Sequence, residues 1–280
     1  MTEHRDAVTS HHRHLESTTR PRRTLAAVSV ATAVAAVIAG SAAGTVSAAP
    51  SVECAPVMVL GIPGSNEGAA HHPNGTTQDQ LYGGTVAEAL AGARDDAESP
   101  VVAAAVEYPA VLSLNFSDGE YFASKDAGYA AAYKLLQTWA VACPSARFSL
   151  IGYSQGAHVA GDLTQTILHK HSPITPDRLA GTLLLADPGF VGYGARTQPL
   201  QYESTSNTFT PVGSGRIGLS PRTDFDEDDP VYSVCFVGDV VCAPGKSVEL
   251  HQRYATAVYD GTGESVAYTY GRLMAAEENW

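Results

Sequence analysis

Leu150-Ile151-Gly152-Tyr153-Ser154-Gln155-Gly156-Ala157 is an apolar run closing in Gly-x-Ser-x-Gly and followed by small residues. It reads as a strand, a sharp turn and the start of a helix. In a nucleophile elbow the serine stands at a strained strand-to-helix turn. Glycines two residues to either side are needed because a Cβ there meets neighbouring backbone. The turn pushes the serine oxygen out where a substrate reaches it. A pattern of five residues arises often by chance, so the rest of the chain has to supply the partners.

Working outward, residues 147–151 form the strand that feeds this turn, and residues 157–169 the helix that leaves it, with Gly161 allowing close approach to the sheet. Upstream, residues 56–60 read as a first buried strand running into the glycine-rich loop 61–68. Residues 81–93 have helical spacing. Residues 101–106 are continuously apolar, as in a strand covered on both faces. Residues 124–141 suit a helix closed by Cys143-Pro144. Downstream, residues 179–186 read as a strand ending at Asp187-Pro188, and 189–230 as a long surface loop. Residues 231–236 make a short final strand, and 248–259 and 265–276 closing helices. This alternation predicts an α/β fold, a doubly wound, mostly parallel central sheet flanked by helices. Ligands of such sheets bind at the carboxyl ends of strands, where Ser65, Ser154 and Asp187 all fall.

The amino-terminal segment does not belong to that pattern. Arg20, Arg22 and Arg23 precede an alanine-rich apolar run over 25–39, and Val46-Ser47-Ala48 suits a signal-peptidase site. The expectation is a cleaved export signal over residues 1–49 and one catalytic domain over 50–280, the alternative being an uncleaved anchor. The Sec and Tat routes both stay open. Without the five cations and three anions of 1–49, the 17 cations and 29 anions of the whole chain become 12 and 26, a formal charge of −14. So acidic a surface argues against nucleic acid and anionic membranes as partners. It fits a secreted, soluble monomer without stable membrane insertion after cleavage.

All four cysteines, Cys54, Cys143, Cys235 and Cys242, follow the signal, and an even number in an exported chain favours two disulfides. Three pairings are possible. Cys235 and Cys242 are close enough to clip a short loop, which leaves Cys54 with Cys143. Neither a Cys-x-x-Cys pair nor a partnered histidine spacing supports a metal site. The acids Asp224, Asp226, Glu227, Asp228 and Asp229 lack the spacing of a calcium loop and read as a solvated face.

A serine hydroxyl needs a histidine to take its proton and a carboxylate to fix that histidine's tautomer. In α/β-hydrolase-type folds the chain order is serine, acid, histidine. Ser154, Asp239 and His251 satisfy it, with Asp239 inside the loop bounded by Cys235 and Cys242. Asp187 is a rival acid, though its proline neighbour suits a turn. His158 would be aimed along the sheet, His169 and His171 end a helix, and His71 and His72 suit a solvated turn beside the glycine-rich loop.

Taken together, these residues resemble the cutinase family of serine esterases. The matching features are Cys54 before the first strand, Tyr108-Pro109-Ala110, Cys143-Pro144, Gly152 to Ala157, and Cys235-x-x-Gly-Asp239-x-x-Cys242 followed by His251. They span nearly the whole mature chain, and the segment 189–230 is closer to the actinobacterial branch than to the fungal one. The resemblance implies Ser154 as nucleophile, Asp239 as acid and His251 as base. It also implies disulfides Cys54–Cys143 and Cys235–Cys242, and an oxyanion hole made of the Gln155 N–H and a hydroxyl residue after the first strand, here Ser65. The loop departs from the familiar Arg-Gly-Ser/Thr form, with Pro63 in place of the arginine. The implied activity is hydrolysis of carboxylic esters, from cutin-like polyesters to short and medium acyl chains, through an acyl-enzyme and with no cofactor. A carbohydrate acetyl esterase of the acetylxylan type on the same fold, and a surface-binding protein that kept the fold without the chemistry, are the alternatives.

Overall fold

Val57–Ile62 form the first strand, β1, and all six residues are buried. A strand buried on both faces needs a helical layer on each side, and its side chains divide accordingly. Val57 and Val59 enter one core, and Met58, Leu60 and Ile62 the other. The computed structural model of the protein describes residues 52–280 apart from 114–118, 193–195, 204–207, 213–217, 219–221 and 223–224. The export signal expected over 1–49, and Asp224 of the acidic run, lie outside the described residues.

The described strands form one eight-stranded sheet. From one edge it runs β2 (Val101–Ala105), β1, β3 (Arg147–Tyr153), β4 (Leu179–Leu185), β7 (Val231–Phe236), β5 (Thr197–Glu203), β6 (Thr208–Pro211) and β8 (Val258–Tyr259). Neighbours are parallel except β5 with β6. Helices α2 (Gly84–Asp96) and α6 (Val266–Glu277) pack on the face holding Val59 and Ile151. Helices α3 (Gly119–Ala142) and α4 (Gln155–Lys170) cover the face holding Leu60 and Leu150. This is the doubly wound, mostly parallel α/β sheet that the sequence predicts.

Several expectations are corrected. Residues 189–230 are not all surface loop: β5 and β6 extend the sheet beyond β7, and Leu200 and Phe209 are fully buried. Their polar residues and the flanking Gly, Ser and Thr hide two short strands. Consequently β7 is an inner strand, and β8 follows it. The β2 strand is only partly buried along its length, because it occupies the sheet edge. The helix expected over 81–93 is two, α1 (Gln78–Tyr82) and α2, separated by Gly83 at φ 78°. The helix expected over 248–259 lasts four residues, α5 (Val248–His251). Beyond it the chain runs through turns, and Tyr254 is fully buried.

The cysteines pair as Cys54–Cys143 and Cys235–Cys242. The first ties the lead-in to β1 to the end of α3. The second closes the loop after β7.

Candidate active site

β3 ends at Tyr153 and α4 begins at Gln155, so Ser154 is the entire turn between them. Its φ of 54° and ψ of −120° lie in a region that non-glycine residues rarely adopt, at a cost of about 1–3 kcal/mol. The neighbours leave no alternative. A Cβ on Gly152 would stand 2.5 Å from the Gly156 carbonyl oxygen, and one on Gly156 would stand 2.1 Å from that of Ile62. The Ser154 N–H donates to Leu185 at the end of β4 (2.9 Å), which fixes the turn to the sheet.

Three segments converge on the serine oxygen. Ser154 Oγ lies 2.9 Å from Nε2 of His251, the last residue of α5. His251 Nδ1 lies 3.0 Å from each Asp239 carboxylate oxygen. With the proton on Nδ1, the ring donates to Asp239 and accepts from Ser154, as a general base requires. Asp239 is fully buried in the loop after β7, where it also accepts the N–H of Val241 at 2.6 Å. The Tyr153 ring stacks on His251, centroids 5.2 Å apart, and its hydroxyl donates to the His251 carbonyl at 2.6 Å. Ser154, His251 and Asp239 thus stand in one hydrogen-bonded chain.

The two residues expected on the oxyanion side, Gln155 and Ser65, stand on different segments. Gln155 opens α4, and the first N–H groups of a helix have no acceptor within it. Its side chain is held: Oε1 accepts from Ser124 at 2.9 Å, and Nε2 donates to the Val111 carbonyl at 3.2 Å. Ser65 lines the same cleft as Ser154 and His251. The Tyr108-Pro109-Ala110 stretch secures its loop, since the Tyr108 hydroxyl donates to the Pro63 carbonyl (2.6 Å) and the Asn66 N–H to that of Ala110 (2.7 Å). Glu67 reaches back to the Gly64 N–H at 2.9 Å. Burial pushes its carboxyl above the ordinary range, against the opposing pull of that N–H and of His251. The cleft measures about 340 Å³, with Leu112, Pro188, Val240, Val241 and Val248 on its walls.

The rival residues have other occupations. Asp187 is buried, accepts the Gly189 N–H at 2.9 Å, and pairs with Arg222. Arg222 was not legible as a structural residue. It comes from the far end of the expected loop and fills the space over Gly161, so that glycine admits a guanidinium rather than the sheet. Arg222 Nη2 also donates to the His158 carbonyl at 3.2 Å. His158 Nδ1 meets the Tyr121 hydroxyl at 2.9 Å, and burial holds the imidazole below its ordinary range. His71 sits in an exposed turn, 3.0 Å from the Pro109 carbonyl. Asp226 and Asp229 close a small exposed turn on themselves. Among the described residues no group of three or more His, Cys, Asp or Glu could hold a metal ion.

A serine at the carboxyl end of a central parallel strand, reached by a histidine and a buried aspartate from later loops, defines the class of α/β-hydrolase-like folds. Within that class the chain belongs to the cutinase family of serine ester hydrolases, which residues 70–273 match. It is 28% identical over 176 residues to a protein described as probable carboxylesterase Culp7 of Mycobacterium tuberculosis, covering 58% of this chain and 81% of that one. It is 28% identical over 248 residues to the carboxylesterase Culp6 homolog of Corynebacterium glutamicum, covering 82% and 79%. In fold it is similar to the catalytic core domain of acetyl xylan esterase from Trichoderma reesei, with TM-score 0.54, 19% identity, and 81% and 98% of the two chains covered.

Proposed function

We propose that this protein is an exported carboxylesterase that works through Ser154, His251 and Asp239. The observation that carries the reading is the unbroken chain of contacts from Asp239 through both nitrogens of His251 to Ser154 Oγ. In the first step His251 Nε2 takes the Ser154 proton as Oγ bonds to the ester carbonyl carbon. Asp239 stabilises the imidazolium, and the Gln155 N–H with the Ser65 hydroxyl receives the oxyanion. Collapse expels the alcohol, which takes its proton from His251 and leaves an acyl-enzyme on Ser154. His251 then deprotonates a water that attacks the acyl carbon, and the carboxylic acid departs with Ser154 restored.

The apolar walls support an acyl chain in the cleft. Leu112 (57% exposed) and Val248 (44%) extend that character to its mouth, which suits esters presented on an apolar surface. Short to medium acyl esters, including cutin-like polyesters, are the proposed substrates. Export is supported by the pairing of all four cysteines. Among the described residues no helix is long and apolar enough to cross a membrane. The single sheet with helices on both faces supports one catalytic domain over 50–280; we take 1–49 to be removed as a signal and the protein to act as a monomer.

The experiment is hydrolysis of p-nitrophenyl esters from acetate to palmitate by the mature protein and by Ser154→Ala. Turnover persisting beyond acetate, and lost in the variant, is expected. Activity confined to acetate would favour the carbohydrate acetyl esterase, and undiminished activity in Ser154→Ala would remove the serine from the mechanism.

A further inference from the structure

Asp239 is a fully buried carboxylate, and its orientation is fixed from several directions. The Val241 N–H at 2.6 Å and the Cys242 N–H at 3.4 Å reach Oδ1. On the other oxygen, Oδ2 accepts the phenolic O–H of Tyr254 at 3.0 Å. Tyr254 is fully buried, and its oxygen accepts the Phe236 N–H at 2.8 Å, so its single proton is left for Asp239. The disulfide sulfur of Cys242, 3.4 Å from the same oxygen, is a far weaker acceptor than a carboxylate. The ring is clamped as well. Phe209, Phe236 and Tyr254 form a stack with centroid spacings of 3.7 and 3.9 Å and planes within 11°. Burial, and after it the Asp239 carboxylate, push the phenol well above the ordinary tyrosine range, so it remains a donor.

We propose that Tyr254 is a positioning residue for this reaction, its hydroxyl holding Asp239 in the rotamer that reaches His251 Nδ1 and tempering how strongly that carboxylate stabilises the imidazolium. This rests on the Ser154–His251–Asp239 reading above. A carboxylate that gives up a hydrogen bond from a hydroxyl becomes a stronger partner for the positive ring. Loss of the hydroxyl therefore raises the pH at which His251 takes its proton. It also removes one restraint on the carboxylate, which weakens the chemical step more than substrate binding in the cleft. Among the described residues, the other titratable groups facing the pair are Glu67, from the loop after β1, and Tyr153, at the end of β3. Both stay unchanged in the variants below.

The test is an NMR titration of the His251 ring protons, assigned by their loss in His251→Gln, together with kcat and KM for p-nitrophenyl butyrate. Tyr254→Phe is expected to raise the midpoint by on the order of half a pH unit and to lower kcat about tenfold, with KM within about twofold. Site-specific 3-fluorotyrosine in place of Tyr254 keeps the shape and makes the hydroxyl a stronger donor, so it should move the midpoint the other way. It also preserves the acceptor for the Phe236 N–H if Tyr254→Phe does not fold. Phe209→Leu loosens the same stack without touching a hydroxyl; it should lower Tm and leave the midpoint in place. A midpoint that ignores the hydroxyl, or that moves equally in Phe209→Leu, overturns the proposal. The titration needs no turnover, so a wild-type protein without esterase activity would count against the functional reading while the midpoints still decide the role of Tyr254.

Discussion

Ser154 holds its left-handed backbone angle because Gly152 and Gly156 let three stretches of backbone close around it. Gly156→Ala is therefore expected to cost about 3 kcal/mol or more in urea unfolding, since the new methyl meets backbone that has nowhere to move. Across the cleft, Ser65→Ala should lower kcat by about a hundredfold with little change in KM, the usual effect of removing one oxyanion donor. An unchanged kcat would place the second donor elsewhere. Glu67 gives a prediction of opposite character. Its carboxyl is raised above the ordinary 4.5 by burial, so the folded state holds that proton more tightly than the unfolded chain. The resulting stability is fully present below the unfolded value and is lost as pH rises through the folded one. Glu67→Gln keeps an acceptor for Gly64 without the charge. The variant's Tm should then gain on the wild type as pH is raised from about 4 to about 7, and a pH-independent gap would contradict the assignment.

At the scale of elements, strands buried on both faces were the legible ones, because β1, β3 and β4 are apolar along most of their length. What composition concealed was β5 and β6, which carry polar residues such as Gln201 and Thr210. Arg222 escaped for a related reason: a lone arginine in a polar stretch gives no sign of a buried partner such as Asp187. The short α5 followed by turns was misread as one helix because the burial of Tyr254 is a tertiary effect. The two disulfides should separate stability from chemistry. Cys54–Cys143 spans 89 residues, so Cys54→Ser with Cys143→Ser should cost about 4.6 kcal/mol by loop entropy and leave kcat of the folded fraction nearly intact. Cys235–Cys242 spans 7, so its removal should cost about 2 kcal/mol while lowering kcat more, because it frees the loop that carries Asp239. Chemical denaturation and initial rates on the same samples would compare them. Equal effects on kcat would deny that the short clip serves the site.

For the whole molecule, the sheet places the loops of the candidate site at one end. The turn after β3 brings Ser154, the loop after β7 brings Asp239, and His251 follows on α5. That is why chain order and strand ends point to these three residues in the sequence, whereas the hydrogen bonds that hold His251 and Asp239, from Tyr153 and Tyr254, depend on packing between segments far apart in the chain. Whether Ser154 is a nucleophile poised by His251 is decided by covalent trapping. The folded mature protein is incubated with a fluorophosphonate, and the adduct is located by peptide mass spectrometry in wild type and in His251→Gln. A single stoichiometric adduct on Ser154 is expected in the wild type, and labelling slowed by orders of magnitude in the variant. Folded wild-type protein that takes no label at Ser154, or a variant labelled as fast as the wild type, would contradict that role.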